Sequence, residues 1–68
     1  MMTRKDYIIT AEILRDAISF AKENSPENSM ALYHSIEAIT FVAEEFAEFF
    51  ANDNKNFDEE KFLMAVHK

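Results

Sequence analysis

The chain of 68 residues carries 13 Asp and Glu against 7 Lys and Arg, a formal net charge of −6, and it contains no Gly and no Cys. The absent glycine excludes phosphate-cradling loops, dinucleotide fingerprints and nucleophile elbows, because each needs positive φ or a close backbone approach. The absent cysteine excludes disulfides and thiolate metal sites. The negative charge argues against direct nucleic-acid binding, which needs clustered cations.

The length indicates a single domain over residues 1–68, and the apolar spacing described below predicts that it is helical. Chains this short bury only about 60% of the surface that they expose when unfolded, so a lone monomer is marginally stable. The uncharged runs stay far below the ~18 residues of a membrane span, and the first apolar stretch is too short for a signal sequence. We therefore expect a soluble, cytoplasmic protein with no membrane partner.

The first predicted helix begins at Thr3, which resembles a capping box with Asp6. Its apolar residues recur at alternating spacings of four and three: Tyr7, Ala11, Leu14, Ile18 and Ala21. A second set widens the apolar arc to about 200°: Ile9, Ile13, Ala17 and Phe20. One neighbouring helix cannot cover so wide an arc, so this helix is either sandwiched centrally or buried in an oligomer.

A polar break at 22–29 precedes the second predicted helix. Ser25 is the expected N-cap, with Pro26 at the first helical position, and a start at Ser29 is the alternative. The helix runs to about Asn52 along a regular seam: Leu32, Ile36, Ile39, Ala43, Phe46 and Phe50. Such a seam packs at a shallow angle against another helix.

The segment 52–56 ends the second helix, and an asparagine takes the left-handed C-cap position that Gly usually fills. Asp58 is the predicted N-cap of a short third helix, and Phe57 faces Phe62 as a hydrophobic staple. Its apolar face closes one end of the helical pair: Phe62, Leu63, Ala65 and Val66. The predicted fold class is all-α, a hairpin of two long helices plus a short C-terminal helix, assembling into a helical-bundle homo-oligomer, most simply a dimer.

Four carboxylates fall within about 100° of arc on the second helix, opposite the seam: Glu37, Glu44, Glu45 and Glu48. Like charges at i,i+4 are mildly destabilising, so this arrangement does not serve helix stability. A solubilising face is one interpretation. The other is a partner-binding surface, because Phe41 projects into the same arc and resembles an anchor with a polar rim. Burial of Phe41 in a self-assembly contact explains it equally well.

A second candidate site is the cluster Arg4, Lys5 and Tyr7, in which the ring stacks on a base while the cations meet phosphate. Cations in a first turn oppose the helix dipole, and two of them do not make a site. The competing interpretation places Tyr7 in the seam with its hydroxyl at the edge.

The two histidines are expected at solvated positions. His34 precedes Glu37 by three residues, whereas di-iron bundles use Glu followed by His at that spacing on two helices. His67, one residue from the end of the sequence, is typical of a frayed helix end rather than of a catalyst. We therefore expect no metal, no cofactor and no enzymatic activity.

The sequence opens with Arg4-Lys5-Asp6-Tyr7, followed by Ile9, Ala11, Ile13 and Leu14, and closes with Ala51-Asn52-Asp53-Asn54, Asn56-Phe57-Asp58, Lys61-Phe62 and Ala65. Both ends resemble a family of small uncharacterised proteins of phages and prophages, whereas the segment 25–45 does not. The family has no assigned activity. Short, acidic, helical phage proteins often bind and disable a host protein, so the resemblance implies a phage origin and a role in host takeover or anti-defence.

Two functional hypotheses follow from these patterns. The first is a small acidic accessory protein that binds, without catalysis, a host protein with a basic or apolar surface. The second is an oligomer that sequesters a small ligand or nucleotide at the N-terminal cluster.

Overall fold

The computed structural model describes residues 3–68, which form three helices: α1 over Arg4–Glu23, α2 over Met30–Asp53 and α3 over Glu59–Val66. Each helix packs against the other two, and no strand occurs within residues 3–68. Tyr7, near the start of α1, contacts Phe50, near the end of α2, so the two long helices run antiparallel. The predicted all-α hairpin with a short C-terminal helix is confirmed.

The capping box at the start of α1 forms as predicted. The Asp6 backbone N–H donates to the Thr3 hydroxyl at 3.4 Å, and the Thr3 backbone N–H donates to the Asp6 carboxylate at 3.0 Å. These two bonds satisfy amide groups that have no partner inside the helix. They fix the start of α1, and with it the position of Tyr7.

The start of α2 differs from the first prediction. Ser29, the alternative, is the N-cap, and its hydroxyl accepts a hydrogen bond from the Leu32 N–H at 3.0 Å. The prediction of Ser25 with Pro26 is wrong because the chain turns after the proline: the Ser29 N–H donates to the Pro26 carbonyl, and Asn28 has φ of 60°. A helix cannot continue through a residue in this left-handed region.

The end of α2 also corrects a prediction. Asn54 is the C-cap, but it is extended, with φ of −143° and ψ of 112°, rather than left-handed. Its carboxamide oxygen accepts from the Asn56 N–H, and its carbonyl accepts from the Phe57 N–H, both at 3.0 Å. This turn brings Phe57 back onto Phe50, so packing of the next segment decides the exit direction from α2.

An aromatic cluster closes the open end of the hairpin. Phe50 lies at ring-centroid distances of 4.9 Å from Tyr7, 5.4 Å from Phe57 and 5.5 Å from Phe62. The staple between Phe57 and Phe62 is confirmed, with centroids 5.5 Å apart. The Asp58 carboxylate accepts a hydrogen bond from a backbone N–H in the first turn of α3, so Asp58 is the N-cap of this helix, as predicted. The short third helix is therefore held by its aromatic contacts with both long helices.

The five seam residues predicted for α1 are all buried, but the seam of α2 is only partly as expected. Ala43 and Phe50 are buried, Phe46 is exposed, and Ala47 is buried instead. A helix turns every 3.6 residues, so a strict seven-residue seam drifts around it. The small side chain of Ala47 lets the neighbouring helices approach closely.

The second apolar set of α1 remains uncovered within one chain. Ile9, Ile13 and Phe20 are exposed, and Ala17 is partly buried. A single chain therefore does not sandwich α1 on both sides, as one of the two predicted alternatives required. Among residues 3–68, no helix combines the length and the apolar character needed to cross a bilayer.

Candidate protein-binding surface

The predicted partner-binding residues lie together on the outer side of α2, which we call the acidic face. Phe41 is 62% exposed. The four carboxylates around it are also exposed: Glu37, Glu44, Glu45 and Glu48. Burial of Ala43 and Ala47 against the other helices turns this side of α2 outward. The structure therefore brings these five side chains onto one solvated surface.

Most of the charge on the acidic face is uncompensated. Glu37 lies 3.9 Å from the Nδ1 atom of His34, and both side chains are exposed. Within residues 3–68, no ion pair is formed by the other three carboxylates. The last turn of α2 contains no basic residue, although cations are favoured at this negative end of the helix dipole. This half of α2 therefore presents a concentrated negative potential.

The two histidines occupy the surface positions that we expected. The ring of His34 lies 5.5 Å from that of Tyr33, in an edge-on arrangement. His67 is the C-cap of α3, and its backbone N–H donates to the Leu63 carbonyl at 3.2 Å. The part of the chain that the structure describes contains no cluster of three or more potential metal ligands.

The N-terminal cluster is divided by the fold. The ring of Tyr7 is 8% exposed and packs between Phe50 and Phe57, so it is closed to a stacking base. Its hydroxyl is buried without a hydrogen-bond partner among the described residues. The expectation of a hydroxyl at the edge is therefore wrong, because Phe57 returns over Tyr7 and covers it.

A groove of ≈450 Å³ runs between the start of α1 and α3. Arg4 and Tyr7 line it together with Lys61, whereas Lys5 does not. Lys61 was absent from the sequence-based site, although the third helix was predicted to close one end of the helical pair. Asp58 also lines the groove, and its negative charge offsets part of the positive charge of Arg4 and Lys61.

Sequence reasoning also missed Phe49, an exposed aromatic residue of α2. Phe49 is 62% exposed, as is Phe41, but it lies about 80° further around the helix. Phe49 does not belong to the predicted seam, and it lies outside the acidic face. The signal was present in the sequence, since Phe49 follows Val42 by seven residues and so occupies the same side of α2.

Comparisons of the chain with protein-family models, with curated proteins and with solved structures find no match. The resemblance to phage proteins therefore stays a prediction that depends on the terminal segments of the sequence.

Proposed function

We propose that this protein acts by non-catalytic binding of another protein through the acidic face. Phe41 is the anchor, and four carboxylates form the rim around it: Glu37, Glu44, Glu45 and Glu48. The observation that supports this most directly is the 62% exposure of Phe41 within a ring of exposed charge. Aromatic anchors surrounded by polar groups are typical of energetically dominant positions in protein interfaces.

The chemistry of the acidic face defines the partner. A phenylalanine buries about 150–250 Å² when it is covered, so the partner needs an apolar pocket of that size. The carboxylates gain nothing from one another, but they are complementary to Lys and Arg on a partner surface. The partner that we propose therefore carries an apolar pocket flanked by basic residues.

The biological setting belongs to the same proposal and depends on the resemblance of the two ends of the chain to phage proteins. In that setting the partner is a host protein, bound in the cytoplasm of a bacterial host. Binding would disable the host protein, as part of host takeover or anti-defence. No catalytic step, metal or cofactor enters this proposal.

The test uses the immobilised full chain to capture proteins from bacterial lysate, followed by mass spectrometry. Phe41→Ala should lose the captured protein, whereas Phe49→Ala, equally exposed on the same helix, should retain it. Capture that Phe41→Ala leaves unchanged contradicts the proposal. Circular dichroism of both variants checks that the helices remain.

A second candidate function is sequestration of a small anionic ligand, such as a nucleotide, by the groove between α1 and α3. The observation in its favour is that Arg4 and Lys61 line this groove from two helices. Mass spectrometry of molecules released from the heated protein would identify such a ligand. Arg4→Ala should reduce its yield, and Lys5→Ala, which removes a cation outside the groove, should not.

A further inference from the structure

Eight large apolar side chains outside both candidate sites are exposed on the two long helices; Met30 and Tyr33 lie in the first turn of α2, and the other six lie further along the hairpin. We call these six the apolar face, and their exposed fractions range from 38% to 67%. Three lie on α1 and three on α2: Ile9, Ile13, Phe20, Val42, Phe46 and Phe49. Water contact with so much apolar surface is unfavourable, by roughly 25 cal/mol for each Å².

These six residues lie on one side of the hairpin. The groove places α3 on the Ile8 side of α1, and the exposed α1 residues lie about 100–140° further around that helix. On α2, Val42 and Phe49 lie about 140–160° from the buried Ala47. Because α1 and α2 run antiparallel, these angles are measured in opposite senses around the two helices when both are viewed from one end. The exposed residues of α1 and those of α2 therefore lie on the same side of the hairpin, away from α3.

The size of the accessible surface indicates how much area is left to cover. The chain exposes 5166 Å², whereas a compact monomer of its 7.9 kDa mass exposes about 4,400 Å². The excess of about 750 Å² is close to the ~800 Å² that each partner buries in a standard protein interface. The shape agrees, since the principal extents are 39 × 17 × 15 Å, which is long and thin for a single small domain.

We infer that a second copy of this chain covers the apolar face, and that two hairpins pack through it as a four-helix bundle. The spacing suits helix-on-helix packing: Ile9, Ile13, Asp16 and Phe20 are separated by four, three and four residues. Ala38, Val42, Glu45 and Phe49 repeat the same spacing on α2. On α2 the small Ala38 lies near one end of this stripe and the ring of Phe49 near the other, which allows two antiparallel copies of α2 to interdigitate.

The self-association surface and the acidic face meet at Glu45, but their aromatic residues lie on different sides of α2. Phe49 and Phe41 are about 80° apart around α2, and the apolar face includes α1, which the acidic face does not. A dimer formed in this way leaves Phe41 exposed. The inference therefore does not depend on the proposed partner binding.

Asp16 is the charged interruption in the α1 part of the apolar face. Burying an unpaired carboxylate is unfavourable, so Asp16 limits the affinity between two copies. Replacing it with leucine should complete the apolar stripe and tighten the dimer. This variant gains association without requiring any loss of folding.

Sedimentation equilibrium of the full chain tests the inference, with Phe49→Glu and Phe41→Glu as a matched pair of equal native exposure. The wild-type chain and Phe41→Glu should dimerise, and Phe49→Glu should raise the dissociation constant by about tenfold or more. A wild-type chain that stays monomeric at high micromolar concentration overturns the inference. The inference is also overturned if Phe41→Glu abolishes the dimer and Phe49→Glu keeps it, because the interface would then lie on the acidic face.

A variant that fails to fold does not leave the question open. Should Phe49→Glu lose its helical circular dichroism, Asp16→Leu replaces it in the same measurement. A lower dissociation constant for Asp16→Leu supports the inference, and an unchanged or higher one overturns it. Capture of a partner by Phe49→Ala is scored separately, so failure of self-association and failure of partner binding are distinguishable.

Discussion

Tyr7 stabilises the fold with its ring and destabilises it with its hydroxyl. The ring centroid lies 4.9 Å from that of Phe50 and 4.7 Å from that of Phe57, which joins α1 to the rest of the chain. The hydroxyl has no hydrogen-bond partner among the described residues. Leaving a buried polar group unpaired costs about 1–3 kcal/mol.

Tyr7→Phe should therefore raise the free energy of unfolding by about 1 kcal/mol, because it keeps the ring contacts and removes the unpaired group. Urea denaturation at one fixed protein concentration measures the change. Tyr33→Phe is the matched control, since Tyr33 is exposed, and it should leave stability unchanged. A less stable Tyr7→Phe would mean that the hydroxyl is bonded in solution.

The helices differ in how far the sequence determines their ends. The caps at Thr3 and Asp58 follow from local hydrogen bonds within three residues, so the sequence alone predicts them. Ser25 offers the same chemistry as Ser29, and the choice depends on the left-handed conformation of Asn28, which belongs to the whole turn. The helical period allows either Phe46 or Ala47 to follow Ala43 in the core, and the way in which three helices meet decides for Ala47.

Ser29→Ala should cost about 1 kcal/mol of stability, because it removes the N-cap of α2. Ser25→Ala should change stability by much less, since Ser25 lies before the turn and caps no helix in the structure. Chemical denaturation of the two variants at equal concentration measures the difference. Equal losses, or a larger loss for Ser25→Ala, would contradict the observed start of α2.

The three packed helices form an elongated bundle with two unlike outer surfaces. The acidic face was predictable in composition, because the helical period alone places its carboxylates opposite the core. The apolar face was predictable only in part: the wide apolar arc of α1 indicated an oligomer, but the place of α3 decides which side remains open. The position of α3 is determined by contacts between residues that are distant in the sequence.

Self-association should make the melting temperature rise with protein concentration, because mass action stabilises the folded dimer. Circular dichroism can follow thermal unfolding over a dilution series that spans about a hundredfold in protein concentration. This range is wide enough to show how the melting temperature depends on concentration. A melting temperature that is constant across the series would show that a single chain carries all of the stability.

The charge of the acidic face should act mainly on the rate of encounter with a basic partner. Glu44→Lys combined with Glu48→Lys should slow association and reduce its dependence on salt, while dissociation changes little. Surface plasmon resonance at several salt concentrations measures the association rate and the dissociation rate separately. An association rate that is unaffected by both the substitutions and salt would remove the carboxylates from the proposed interface.

The dissociation rate of the captured protein from Phe41→Ala is the most direct measurement of partner binding by the acidic face. We expect dissociation to be faster by a factor that corresponds to roughly 2 kcal/mol or more, with association nearly unchanged. Phe49→Ala, measured beside it, should dissociate at the wild-type rate. If Phe41→Ala instead leaves partner dissociation unchanged and breaks the dimer, Phe41 belongs to the contact between copies, and the partner surface lies around Arg4 and Lys61.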